Sequence, residues 1–284
     1  MTKTLKELNL EDDFLFAHVM SDKDICKEFL EKLLEVEIEK IDMPENQKTI
    51  DLVLESKGIR LDIYVKDENN TVYNVEMQRG KHKNIPKRLR YYQGNIDLDL
   101  INKGEDYRKL AKSYIIFICT FDLFNKGRHK YTFETVCKED NSVKLEDDTN
   151  KIILNTKGVM KDLNDEIIEF LKYIEHSDSE TADKAKGALV KNIHKRVTEV
   201  KNNHKVEVQF MTLLERDREK IEEGRQKGIK EGIKEGIKEG RKEGREEGIE
   251  IAKKVFKLLN SGESITNIAQ ICKISEEKVR EIVE

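Results

Sequence analysis

The sequence predicts an α/β protein: a mixed central β-sheet flanked by helices, followed by an all-helical C-terminal extension. Three observations lead there. Apolar and polar residues alternate strictly over residues 59–65 and 73–78, the period of strands with one face toward a core. Residues 114–119 are continuously apolar, as expected of a strand buried on both faces. From about Leu163 onward the apolar spacing is helical and no strand pattern recurs.

In chain order, Phe14, Leu15 and Val19, then Ile25, Phe29, Leu30, Leu33 and Leu34, recur at helical spacing, with Ser21 and Asp22 between them as capping residues. Two short amphipathic helices therefore open the fold. Three β-rich segments follow, at residues 49–55, 59–65 and 71–78, separated by Lys57-Gly58 and by a polar turn over residues 66–70, and they read as an antiparallel meander. A helix is expected over residues 84–102 and a buried strand over 113–121, with further strands near residues 130–136 and 151–154. Between Gly224 and Gly248 glycine recurs every fourth residue, in units of the type Gly-Ile-Lys-Glu. Residues 250–284 read as three short helices, broken first at Ser261-Gly262 and capped at Ser264 and Ser275. The expected division is 1–160, a catalytic domain; 161–220, a helical region; 221–250, the Gly-x-x-x repeat helix; and 251–284, a small helical module.

Composition narrows the function. Charged residues make up 39% of the 284 residues but the formal net charge is only -4, which excludes a wholly basic nucleic-acid binder and confines any DNA contact to a local patch. No apolar stretch is long enough to span a bilayer and the N-terminus lacks the apolar core of a secretory signal, so the expectation is a cytoplasmic protein with no membrane partner. Cys26, Cys119, Cys137 and Cys272 form no CxxC pair, and neither HExxH nor GxxxxGK[ST] is present. A metal, if held, must be held by carboxylates.

Such a pair exists. With the 59–65 and 73–78 segments joined in a hairpin symmetric about Asn69, Asp62 stands opposite Glu76 and Arg60 opposite Gln78, all on the polar side. Like charges facing each other across a sheet are destabilising unless a cation lies between them, and hard oxygen ligands suit Mg²⁺ or Mn²⁺. The plainer alternative is a solvated face of an exterior hairpin. The following segment weighs against it: Arg79, Lys81, Lys83, Lys87, Arg88 and Arg90 come with His82, Tyr91 and Tyr92 and without an acid before Ile96. Cations beside an acidic pair are what a phosphodiester site needs, the cations positioning the backbone and the metal acting on one phosphate.

These residues resemble the PD-(D/E)XK nuclease superfamily, and within it the Rpn family of recombination-promoting nucleases and transposases. The resemblance rests on residues 12–16 (Asp-Asp-Phe-Leu-Phe), Arg60-Leu61-Asp62-Ile63, Val75-Glu76-Met77-Gln78, Arg90-Tyr91-Tyr92 and the apolar strand, and covers roughly residues 8–155. It implies a restriction-endonuclease-like fold, a Mg²⁺-dependent DNA endonuclease and a role in recombination or transposition. Asp62 then corresponds to the metal-binding Asp, Glu76 to the acidic residue of the (D/E)XK half-motif and Gln78 to its Lys; Mg²⁺, with Mn²⁺ as the alternative, would be held by Asp62, Glu76 and the Met77 carbonyl. Asp13 is a further metal-ligand candidate, against a competing role for Asp12 and Asp13 at the helix start. Arg79, Lys81, Lys83, Lys87, Arg90 and Tyr91 would contact DNA. Two departures stand out: Leu61 replaces the Pro of the first half-motif, and Gln78 supplies no positive charge, so the alternative is a catalytically degenerate nucleic-acid-binding or oligomeric interaction protein.

In the repeat, each Gly costs about 1 kcal/mol relative to Ala in a helix, so seven of them require close helix packing in return. A four-residue spacing advances roughly 40° per repeat, so the Gly stripe and the Ile229, Ile233, Ile237 stripe wind together, which favours a homo-oligomer built on a second copy of this helix over a flexible linker. The last two helices are ordered like a helix-turn-helix, but Glu276, Glu277, Glu281 and Glu284 on the second would repel phosphate.

Overall fold

The computed structural model describes residues 3–43, 45–50, 59–80 and 84–284. The chain divides into two compact units, Met1–Met211 and Thr212–Glu284. Within the described residues the first unit contains six strands, β1 (Glu45–Ile50), β2 (Ile59–Lys66), β3 (Val72–Gln78), β4 (Ser113–Cys119), β5 (Lys130–Phe133) and β6 (Thr149–Asn155), in one sheet of order β1-β2-β3-β4-β6-β5. β1, β2 and β3 pair antiparallel, β3, β4 and β6 parallel, and β5 closes the far edge antiparallel. The sheet is mixed and open. The meander is present, and its first strand begins at Glu45, four residues before the expected segment, and is described to Ile50; residues 51–55 and the Lys57-Gly58 turn fall outside the described residues.

Helices cover both faces. The parallel step from β3 to β4 needs a crossover, which α3 (Ile85–Leu100) supplies. Ile85, Leu89, Tyr92 and Ile96 recur at helical spacing along α3 and pack with Ile115, Phe117 and Cys119, the alternate residues of β4. On the other face, α1 (Asp13–Met20) packs on β1, β2 and β3 and is backed by α6 (Ala188–Lys201), which in turn meets α2 (Lys23–Leu34) and α4 (Asp165–Glu175). Phe29 of α2 and Phe170 of α4 join at 5.0 Å between ring centroids. Asp12 and Asp22 cap α1 and α2 through their carboxylates, which accept from Phe14 N and from Asp24 N and Ile25 N. From Asp165 on, every regular element is a helix, including the short α5 (Ser179–Lys184).

α7 (His204–Asn260) contains the whole glycine repeat. The first of the three expected terminal helices is thus the end of a longer one; α8 (Ile265–Cys272) and α9 (Glu276–Val283) follow, capped by Ser264 and Ser275 as the sequence indicates. In the second unit Val255, Ile268, Ala269 and Val279 form a small core, while Ile229, Ile233 and Ile237 are each more than half exposed. Among the described residues no helix is long and apolar enough to cross a membrane.

Candidate metal centre

The hairpin register is set at its turn. Asp67 accepts from Asn69 N and Thr71 N through Oδ1, Tyr73 Oη donates to its Oδ2, and Asn70 takes φ 60, a conformation that Asn tolerates. This closes the loop symmetrically about Asn69 and pairs Lys66 with Val72, Val65 with Tyr73, Tyr64 with Asn74 and Ile63 with Val75. Beyond Ile63 the two strands follow different neighbours: β2 stays with β1 to the pair Ile59–Ile50, and β3 stays with β4 to the pair Gln78–Cys119. The sheet forks at this point, and the carboxylates bridge the fork.

Asp62 N donates to Glu76 Oε1 at 3.0 Å, and Met77 N donates to Asp62 Oδ2 at 3.0 Å. Each carboxylate thus replaces a ladder carbonyl for one backbone N–H, and each commits one oxygen to doing so. Glu76 Oε2 lies 3.8 Å from Arg88 Nη2. Asp13 enters from the first turn of α1 and lines the same cavity of about 350 Å³ with Asp62, Glu76, Gln78, Arg60 and Arg79.

Glu76 is buried, only 2% exposed, and Gln78 is buried with it; Asp62 is partly buried. The polar residues of β3 therefore form an interior surface, met by Arg88 of α3, while Arg60 of β2 is exposed. Desolvation dominates the electrostatics. Burial raises the Asp62 carboxyl to about 6, opposed by its bond from Met77 N, reinforced by the nearby Asp13 charge and opposed again by Arg60 and Arg88. Burial and then the Asp62 charge push Glu76 well above the ordinary carboxylate range. Burial also raises Asp13, against the pull of Arg79. A pair of adjacent carboxylates that resists ionising alone is a donor set for a cation, since a divalent ion supplies the charge that water supplies elsewhere. Among the described residues no three His, Cys, Asp or Glu side chains converge as a ready-made metal cluster. The donor set that fits is the Asp62–Glu76 pair, completed by backbone oxygen and water.

Gln78 holds the position next to the pair, and its amide is fully engaged. Its Nε2 donates to Arg79 O at 2.7 Å and its Oε1 accepts from Arg88 Nη1 at 2.5 Å. Arg88 Nη2 also donates to Tyr92 Oη at 3.0 Å, and the guanidinium lies 5.1 Å from the Phe117 ring centroid. A half-buried cation thus occupies the fork even though Gln78 brings none. Arg88 and Tyr92 are the two residues that the sequence-based site assignment lacks. Their signal was available: Arg88 lies three residues after Ile85 and four before Tyr92, so it belongs to the inward face of α3.

The other expected contacts distribute around this centre. Asp12 caps α1 and pairs with Arg79 at 3.4 Å; Arg79 itself is exposed at the cavity rim. Lys87, Arg90 and Tyr91 lie exposed on α3. Lys81 and Lys83 fall outside the described residues.

The site is thus a mixed sheet forking beside the Asp62–Glu76 pair, with an inward cation, Arg88, from the crossover helix. Residues 11–232 match the PD-(D/E)XK nuclease family transposase family, so the chain belongs to that family. No curated protein and no solved structure matches the chain.

Proposed function

We propose that this protein is a metal-dependent DNA endonuclease that hydrolyses phosphodiester bonds in recombination or transposition. The observation that carries the reading is the carboxylate pair, one residue from each side of the fork, each tied to the partner strand by a single oxygen. Asp62, Glu76 and the Met77 carbonyl would hold Mg²⁺, or Mn²⁺, with Asp13 as an outer carboxylate from α1. When bound, the ion supplies Lewis-acid polarisation of the scissile phosphate and a more acidic water. Arg88 directs positive charge to where charge builds up on the phosphate, in the role a Lys at position 78 would fill, and Gln78 and Tyr92 fix its guanidinium for that task. Arg79, Lys87, Arg90 and Tyr91, with Lys81 and Lys83, would bind the DNA backbone and set the strand's position.

The engaged amide of Gln78 also favours a second reading, a degenerate nucleic-acid-binding module, because that amide has little freedom to orient a water. The two readings separate in one assay. Supercoiled plasmid is incubated with Mg²⁺, Mn²⁺ or EDTA and with the protein or its Asp62→Ala and Glu76→Ala variants. Metal-dependent nicking lost in both variants supports the endonuclease; DNA binding with no nicking under any metal supports the degenerate module.

A cytoplasmic setting suits the free thiols, of which Cys26 and Cys119 are buried and raised to about 12 by that burial. The repeat in α7 would serve homo-oligomerisation, its glycines allowing a second copy of the helix to approach closely.

A further inference from the structure

Next to the carboxylate cavity, and sharing Arg60, Arg88 and Tyr92 with it, lies a larger cavity of about 540 Å³. The two differ in kind. The first has almost wholly polar walls, including Asp13, Asp62 and Glu76; the second has mainly apolar walls, and among the described residues every charged side chain lining it is a cation. Asn84 at the start of α3 and Lys87, Arg88 and Tyr91 within it line the cavity at intervals of three and four residues, and Ile59 and Arg60 line it from β2. Tyr91 lines the cavity and is 40% exposed.

Cations alone would suffice to follow a duplex backbone. The cations suit phosphate, but the apolar part of the wall, with the aromatic residues Tyr91 and Tyr92, suits the flat π-face of a nucleobase, and aromatic stacking is how proteins hold bases that lack a pairing partner. Bases in an intact duplex offer only their edges, so a base enters such a cavity only when it is unpaired or extruded. The volume falls within the range of about 300–1,000 Å³ usual for pre-formed small-ligand sites. Arg60 and Arg88 form the partition between the two cavities, placing cations where the phosphate adjoining such a base would run.

We propose that this cavity receives the base of an unpaired nucleotide next to the scissile phosphate, so that the preferred substrate is DNA with an unpaired nucleotide, as in a single strand, flap or gap. The inference rests on the endonuclease reading for its link to cleavage, but the binding it describes is separable. Fluorescence anisotropy of the full chain in EDTA, at fixed salt, compares four labelled probes: a single strand, a fully paired duplex, a duplex with one unpaired nucleotide, and the same duplex with that nucleotide abasic. The expected result is about tenfold tighter binding of the unpaired-base duplex than of either the paired or the abasic duplex. Tyr91→Ala should remove that factor and Tyr91→Phe should keep it, with circular dichroism confirming that both fold. Equal affinity for the unpaired and abasic probes, or a Tyr91→Ala variant that still discriminates them, would overturn the proposal. Plasmid nicking with no abasic discrimination refutes the base pocket and leaves the nuclease; abasic discrimination with no cleavage in Mg²⁺ or Mn²⁺ keeps the pocket and refutes the nuclease.

Discussion

Replacing Glu76 by Gln should make the metal-free protein more stable while removing its response to divalent ions. Both carboxyls of the fork ionise reluctantly, the Asp62 pKa raised from 3.8 to about 6 and the Glu76 pKa raised well above its ordinary value, chiefly because burial removes their water. For Asp62 alone that rise sets about 3 kcal/mol against the ionised folded state. The sign follows from proton linkage: between the unfolded and folded pKa of Asp62 the native protein holds a proton that the unfolded chain has released, so native stability falls as pH rises from about 4 to about 6, and the raised Glu76 carboxyl extends the fall to higher pH. The amide introduced by Glu76→Gln would keep an oxygen for Asp62 N and carry no charge into the fork. At pH 8 the metal-free variant should have a higher Tm than the wild type and show a shallower decline with pH. Added Mn²⁺ should raise the Tm of the wild type by mass action and leave the variant unmoved. Differential scanning calorimetry from pH 5 to 8, with and without Mn²⁺, measures all of these. A variant less stable than the wild type at pH 8, or a wild type whose stability is flat over that range, would refute the reasoning.

Other consequences are more local. Arg88→Ala should lower the nicking rate at least a hundredfold by removing the cation at the fork, with Arg88→Lys intermediate because one amine cannot bond Gln78 and Tyr92 as the guanidinium does; single-turnover rates test this. Gln78→Lys, which restores the superfamily residue, should lower activity by setting two cations against each other, whereas Gln78→Lys combined with Arg88→Gln should recover part of the loss in the same assay. Gly187→Ala should cost about 1–3 kcal/mol in thermal unfolding, because a Cβ there would collide with the Glu166 carboxylate that accepts from Ala188 N and Leu189 N and pairs with Lys32. Ala at Gly232, Gly236 and Gly240 meets nothing within 4 Å in the single chain and should favour the helix by about 1 kcal/mol per site; sedimentation should nonetheless show weaker self-association, since the added methyls would hold a second helix away.

Local pattern carried much of the fold and part of the site. Alternation together with a turn centred on Asn69 gave the register seen where Tyr64 pairs with Asn74, but the ladder between the two strands ends at Ile63–Val75, before Asp62 and Glu76. What alternation cannot convey is which element covers the polar side. On β3 this is α3, which reaches it through a crossover, and this nonlocal packing leaves Asn74, Glu76 and Gln78 buried. Arg88 was obscured for the same reason: within a run of cations it looks like its neighbours, and only the spacing to Ile85 and Tyr92 sets it apart. The start of β1 was missed because its first residues, Glu45, Asn46, Gln47 and Lys48, are polar, as suits an edge strand. The extent of α7 was hidden by its glycines, which lower helix propensity without ending the helix.

The central claim is that Asp62 and Glu76 together hold a divalent ion, and a Mn²⁺ titration followed by electron paramagnetic resonance tests it without relying on turnover. Mn²⁺ bound by the wild-type protein at pH 8 and by neither Asp62→Ala nor Glu76→Ala is the predicted result. Equal Mn²⁺ uptake by all three proteins, or none by the wild type, would contradict it.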